Sequence, residues 1–192
     1  MQALVLASSS NYRRELLNKL HLDFICCSRP VDESPQNGES AAALAQRLAV
    51  AKAEAIAHDF PAHLIIGSDQ VAVCNGTLLG KPGDYSTAFA QLKAQSGQTV
   101  TFFTGICVLN TATGQALTDL DVCHVHFKPL NDRQIQHYLK TDQPFDCAGS
   151  FKSEGYGISL FRKIEGEDPN ALIGLPLIKL IDLLHTFGIS IP

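Results

Sequence analysis

A handful of charged side chains interrupt apolar runs in this chain, and their types suit phosphate chemistry. Arg13, Lys52 and Lys81 are cations of the kind that take polyphosphate oxygens. Glu33 and Asp69 are carboxylates that suit a divalent metal or a general base. Four polar clusters interrupt otherwise apolar elements: Ser8 to Arg14, Asp32-Glu33, Ser68-Asp69-Gln70 with Lys81, and Lys152 to Gly157. Taken singly, each has a plain structural explanation: Arg13 and Arg14 as solvated residues of a capped helix, Lys52 as a snorkelling side chain. Their recurrence at element ends favours a site, because α/β proteins build sites there. No GxxxxGK[ST], GxGxxG or GxSxG occurs, which removes the P-loop, dinucleotide and serine-hydrolase readings.

The elements that must position these groups follow from the apolar pattern. Ala3 to Ala7 reads as a short buried strand running into Ser8-Ser9-Ser10, a cluster of N-cap residues where an anion could dock. Tyr12 to His21 has helical spacing, with Leu16, Leu17 and Leu20 on one face. Asp23 to Cys27 is a second strand, Arg29 to Pro35 a loop, and Ser40 to Phe60 a long Ala-rich helix ended by Pro61. On that helix Lys52 lies about 40° around from Leu48, at ~100° per residue.

Leu64 to Ser68 is a buried strand ending in Ser68-Asp69-Gln70. A hairpin over Val71 to Gly80 follows, with Asn75-Gly76 as a type I′ turn pairing Cys74 with Thr77. Continued, that register brings Gln70 opposite Lys81 and gathers an acid, an amide and an ammonium at the hairpin mouth. Strict alternation puts Asp69 on the other face, and Gly80 and Pro82 could break the ladder. Tyr85 to Gln95 is a helix, Thr99 to Asn110 and Gln115 to Phe127 a long antiparallel pair, and Asn131 to Lys140 a helix. Gly149 to Gly157 is irregular, Ile158 to Ile164 a strand, and Asn170 to Phe187 a closing helix. The mixed order implies an α/β protein with a large mixed, partly antiparallel sheet flanked by helices.

Composition bounds the rest. The 192 residues, at about 150 per domain, imply one domain with room for two lobes. An apolar fraction of 45% against 18% charged excludes disorder and supports a sizeable core. A net charge of −4 with no basic block argues against nucleic acid as a partner. No apolar run is long enough for a membrane span, and Ala3 to Ala7 is no signal peptide. The six cysteines show no CxxC pair, so they read as reduced, mostly buried thiols in a cytoplasmic protein. His124 and His126 share a strand face, but two ligands without a third are ordinary strand residues.

Six blocks, in order, resemble the Maf family: Ala7 to Leu17, Val31-Asp-Glu33, Arg47 to Ala53, Gly67-Ser-Asp-Gln-Val71, Gly80-Lys-Pro82 and Gly174-Leu-Pro176. Through Ala148-Gly-Ser-Phe-Lys-Ser-Glu-Gly155 the chain is most similar to the subgroup of 7-methyl-GTP pyrophosphatases. Asn11 departs from the proline that family members commonly carry.

The resemblance implies a single Maf-type domain over 1–192, with two lobes around a cleft. It implies nucleoside triphosphate pyrophosphatase activity, in which water attacks the α-phosphorus to release pyrophosphate. Asp69 matches the general base, Arg13, Lys52 and Lys81 the phosphate contacts together with Ser8 of the serine turn, and Glu33 the metal-serving acid beside Asp69. A divalent cation, Mg²⁺ or Mn²⁺, is the implied cofactor, and a small nucleotide the implied partner; a homodimer is left open. Tyr12, where other Maf proteins commonly carry arginine, can stack on a cationic methylated base. Glu154, where dTTP- and UTP-preferring relatives commonly carry glutamine, is acceptor-only and suits the N–H donors of guanine. Gln70 is the third specificity position. A dTTP/UTP pyrophosphatase and a non-catalytic nucleotide sensor of cell division are the alternatives, and Tyr12 covering its helix beside a solvated Glu154 is the plain structural one.

Overall fold

A computed structural model describes residues 2–191. The strands are β1 (Leu4–Leu6), β2 (Phe24–Cys26), β3 (Leu64–Cys74), β4 (Thr77–Leu79), β5 (Thr99–Asn110), β6 (Gln115–Phe127) and β7 (Phe161–Glu165). The α-helices are α1 (Asn11–Asn18), α2 (Ala41–Glu54), α3 (Tyr85–Gln95), α4 (Asp132–Asp142) and α5 (Leu177–Thr186). The strands are hydrogen-bonded in the order β2-β1-β3-β5-β6-β7, with β4 on β3. β1 runs parallel to β2 and β3, whereas β3–β4 and β6–β7 are antiparallel. The sheet is therefore mixed, as the sequence implies.

The chain divides into two compact units: residues up to 70 with 103–121 and 168 onward, and residues 71–102 with 122–167. In the first unit the period-two alternation of strands sorts side chains onto two cores. Leu4, Leu6, Leu64, Ile66, Ile106 and Val108 pack with Leu16 and Leu17 of α1 and Leu180 and Leu184 of α5. Val5, Ile65, Cys107 and Leu109 face the other way, onto Ala49 and Ala53 of α2 and onto Ile56. Gly67 of β3 and Gly105 of β5 continue that second face, and both are tight against α2. A Cβ at either would collide with the backbone carbonyl of Ala49 or Ala45. The alanine-rich composition of α2 thus reflects a close seat on the sheet, with glycine supplying the room. In the second unit Phe102, Phe127, Phe151 and Phe161 pack edge to face around a common centre.

Most element limits match the sequence expectations, and the exceptions have local causes. The helix expected over 40–60 stops at Glu54; at the fully buried Ile56 (φ −113°, ψ 0°) the chain passes into a 3₁₀ turn over Ala57–Asp59. β3 is one continuous strand, so Asp69 lies inside it rather than at its end. The Asn75-Gly76 turn has both φ angles positive, as type I′ requires. Pairing of β3 with β4 runs from Cys74–Thr77 to Ala72–Leu79 and stops short of Gln70 and Lys81. The expected strand over 158–164 begins only at Phe161, because Tyr156–Leu160 forms a 3₁₀ turn. The closing helix begins at Leu177, since Gly174 has φ +127° and Pro176 is its N-cap.

Candidate functional site

The first unit gathers its acids and cations through the alternation of β3. Ile65, Gly67 and Asp69 point to the α2 face, so Asp69 meets the helix two residues beyond the point of closest approach. The Lys52 ammonium on α2 donates to Asp69 Oδ1 at 2.5 Å and sits 2.7 Å from Glu33 Oε1. Lys52 and Asp69 are mostly enclosed, with side chains 16% and 10% exposed, while Glu33 reaches in from an open loop at 61%. Lys52 is therefore no snorkelling residue. It bridges two carboxylates in a confined space, where the attraction between charges exceeds that in water.

Arg13 completes this group. Ser10 caps α1 by accepting from the Arg13 N–H, and the Arg13 side chain donates from Nε to the Gly174 carbonyl at 2.8 Å. Burial pulls its guanidinium below the ordinary arginine value, and the nearby Asp69 and Glu33 carboxylates oppose that pull. Asn11 stands at the first helical position, where a proline would forfeit no helix bond, so the cap forms without it.

The opposite face of β3 does something different. Ser68 donates to the carbonyls of Gly105 and Gly174 at 2.8 and 3.1 Å. Gln70 donates from its amide to Thr104 Oγ1 and to the carbonyls of Ala171 and Leu172 at 2.9 to 3.1 Å. The irregular 168–176 segment is fixed further by buried Asp168, which accepts from the Asn170 amide groups and from the Ile178 N–H. Gln70 and Asp69 are neighbours in sequence yet serve opposite faces.

The serine turn lines a cavity of about 270 Å³, with Ser8 to Asn11 and Arg14 on one side and Cys26 to Ser28 on the other. Ser8 is buried there and its Oγ accepts from the Ser10 N–H. Arg14, not Arg13, lines this cavity, and Tyr12 is half-buried on α1.

Two sequence-selected residues belong to the second unit. Lys81 is exposed in the connection after β4. Glu154 is exposed and accepts from the hydroxyl of Ser153 at 3.3 Å. Its loop is held by Gln95, which donates to the Gly149 carbonyl, by a 2.5 Å bond from Ser150 to Gln91, and by the Lys152 N–H donating to the buried Tyr138 hydroxyl.

Comparison with known proteins places these positions in a family context. The Maf-like protein family matches residues 3–187. The chain belongs to the Maf family. A 7-methyl-GTP pyrophosphatase of Pseudomonas savastanoi pv. phaseolicola is 54% identical over 192 residues, 100% of both chains. Its counterpart in Alcanivorax borkumensis is 55% identical over 189 residues, 98% of this chain and 96% of its own. Among solved structures, the Staphylococcus aureus Ham1 protein superposes with a TM-score of 0.48 at 12% identity, over 97% of both chains.

Within this Maf chain, no group of three His, Cys, Asp or Glu side chains forms a ready metal cage among the described residues. Asp69 and Glu33 converge on one cation, Lys52 Nζ, and present hard oxygen donors. Two such carboxylates fit Mg²⁺ or Mn²⁺ when substrate phosphates and water supply the other ligands. His124 and His126 instead bond Thr101 and Thr99, and His126 also pairs with Glu165 at 2.7 Å. All six cysteines are free thiols, and burial pushes Cys107 up to about 12. No helix among the described residues is long and apolar enough to cross a membrane.

The sequence places Ser68 in a polar cluster but gives it no role in holding the Gly174 carbonyl, and it does not single out Asp168. Asp168 had only the Asp-x-Asn spacing of a loop-capping turn.

Proposed function

We propose that this Maf-family chain hydrolyses 7-methyl-GTP to 7-methyl-GMP and pyrophosphate, as one catalytic domain over residues 1–192. Lys52 held between Asp69 and Glu33 is the observation that carries the chemistry, and full-length relatives named 7-methyl-GTP pyrophosphatase favour the substrate. Asp69 is the general base that takes a proton from the attacking water. A triphosphate offers Lys52 stronger acceptors, so the ammonium turns toward phosphate oxygens and frees Asp69 to orient the water. Arg13 is pre-aimed by the Gly174 carbonyl and stabilises developing charge without reorganising. Ser8 and the α1 N-terminus take phosphate oxygens, and Lys81 adds a further cation.

Glu33 and Asp69 would hold Mg²⁺ or Mn²⁺. Bound there, the ion neutralises triphosphate charge. Glu154 accepts from the guanine N–H donors, Tyr12 stacks on the methylated ring, and Gln70 acts by fixing the 171–172 carbonyls. The six free thiols fit a reducing, cytoplasmic setting.

Pyrophosphate release from 7-methyl-GTP, GTP, dTTP and UTP, with and without EDTA, tests the proposal. The expected result is fastest release from 7-methyl-GTP, stopped by chelation. Faster dTTP or UTP hydrolysis would replace the substrate, full activity in EDTA would remove the metal, and no release from any of them would indicate a sensor.

A further inference from the structure

We propose that Arg47 is a positioning residue for Glu33, tethering the loop that carries this acid to the helix that carries Lys52. Residues 27–38 have no helix or strand, and 32–38 are all exposed, so apolar packing does not fix Glu33. Arg47 does. From α2 its guanidinium forks onto Glu39, Nε to Oε1 at 2.7 Å and Nη2 to Oε2 at 2.9 Å. The same Nη2 donates to the Ser34 carbonyl at 3.0 Å, one residue from Glu33. The two ends of the loop are tightened locally, by the Ser34 N–H on Asp32 Oδ1 and the Gln36 N–H on Glu39 Oε2, each at 2.9 Å.

Arg47 and Lys52 lie five positions apart on α2, roughly 140° around it. One helix therefore holds the loop on one side and receives its Glu33 carboxylate on the other. The fork geometry is specific to arginine, since a lysine offers one point of charge where two parallel bonds are made. Arg47 holds the Glu39 carboxyl down to about 2, so the tether keeps its charge throughout the neutral range.

This inference rests on the proposed role of Glu33, and its test separates the two. Hydrogen exchange read by mass spectrometry on Arg47→Ala should show residues 31–39 exchanging about tenfold faster or more, with α2 and β3 unchanged. Arg47→Lys should recover only part of that protection. In turnover assays Arg47→Ala should raise the Mn²⁺ concentration for half-maximal rate, and should add nothing further in a Glu33→Gln background. Unchanged exchange at 31–39, or effects of the two substitutions that multiply, would overturn the positioning role. If Glu33→Gln alone leaves the Mn²⁺ requirement unchanged, the metal role of Glu33 falls while the exchange result still decides Arg47. Should Arg47→Ala fail to fold, Glu39→Gln removes the same fork from its other end and is read in the same way.

Discussion

The two units of the chain treat their functional charges in opposite ways. In the first, Lys52 joins Asp69 and Glu33, Arg13 is bonded to Gly174, and a scaffold of Ser68, Gln70 and Asp168 braces the loop behind it. In the second, Lys81 and Glu154 are exposed, and bracing reaches the backbone around Glu154 rather than its carboxylate. Fixed, enclosed charges suit bond-breaking, because they stabilise a transition state without moving at the moment of reaction. Exposed side chains on a braced loop suit recognition, where adapting to a ligand matters more. By the proposed roles, the first unit holds the bond-breaking charges together with Tyr12 and Gln70, and the second adds the exposed Glu154 to the reading of the base.

Substitutions can break or sharpen that division. Asp69→Asn is nearly isosteric but cannot accept a proton at neutral pH, so kcat should fall by about 10²–10⁴-fold. Nucleotide affinity, measured by calorimetry, should persist; near wild-type turnover would end the assignment of Asp69 as base. Lys52→Met and Lys81→Met form the direct comparison between units. The Lys52 variant should lose about 10²-fold in kcat, whereas the Lys81 variant should act chiefly on KM. Equal losses in kcat from both would erase the contrast.

The smallest effect is expected at Glu154→Gln. Competition between 7-methyl-GTP and UTP should show about a tenfold loss of preference, with little change in melting temperature. Preference that survives this change would leave the reading of the base to Tyr12 and Gln70 of the first unit.

How far the sequence could be read depended on the range of the contacts involved. The strand pattern over 64–68 and the helical spacing of Lys52 from Leu48 are local, so the elements that carry Asp69 and Lys52 can be read from the sequence. The bridge between them follows once α2 covers the Asp69 face of β3. Gln70 was misleading in position: its partners at Ala171 and Leu172 are more than a hundred residues away, in a segment with no periodicity to announce it. The helix limits at Glu54 and Leu177 were overrun for related reasons. A 3₁₀ turn over Ala57–Asp59 takes over after α2, and Gly174 and Pro176 break the run before Leu177. The ladder toward Lys81 ended at Leu79, where Gly80 and Pro82 had already given warning.

The seat of α2 on the sheet acts as a gauge block. At Gly67 and Gly105 backbone meets backbone, so no side chain serves as an adjustable spacer between helix and strands. The span from ammonium to carboxylate is set two residues away from Asp69, by a methyl group that is missing. A descendant of this chain could drift freely in its exposed loops and acquire new ligands there. Any lineage that gained a β-carbon at position 67 would tilt the helix and lose the spacing, however faithfully it kept Lys52 and Asp69 themselves.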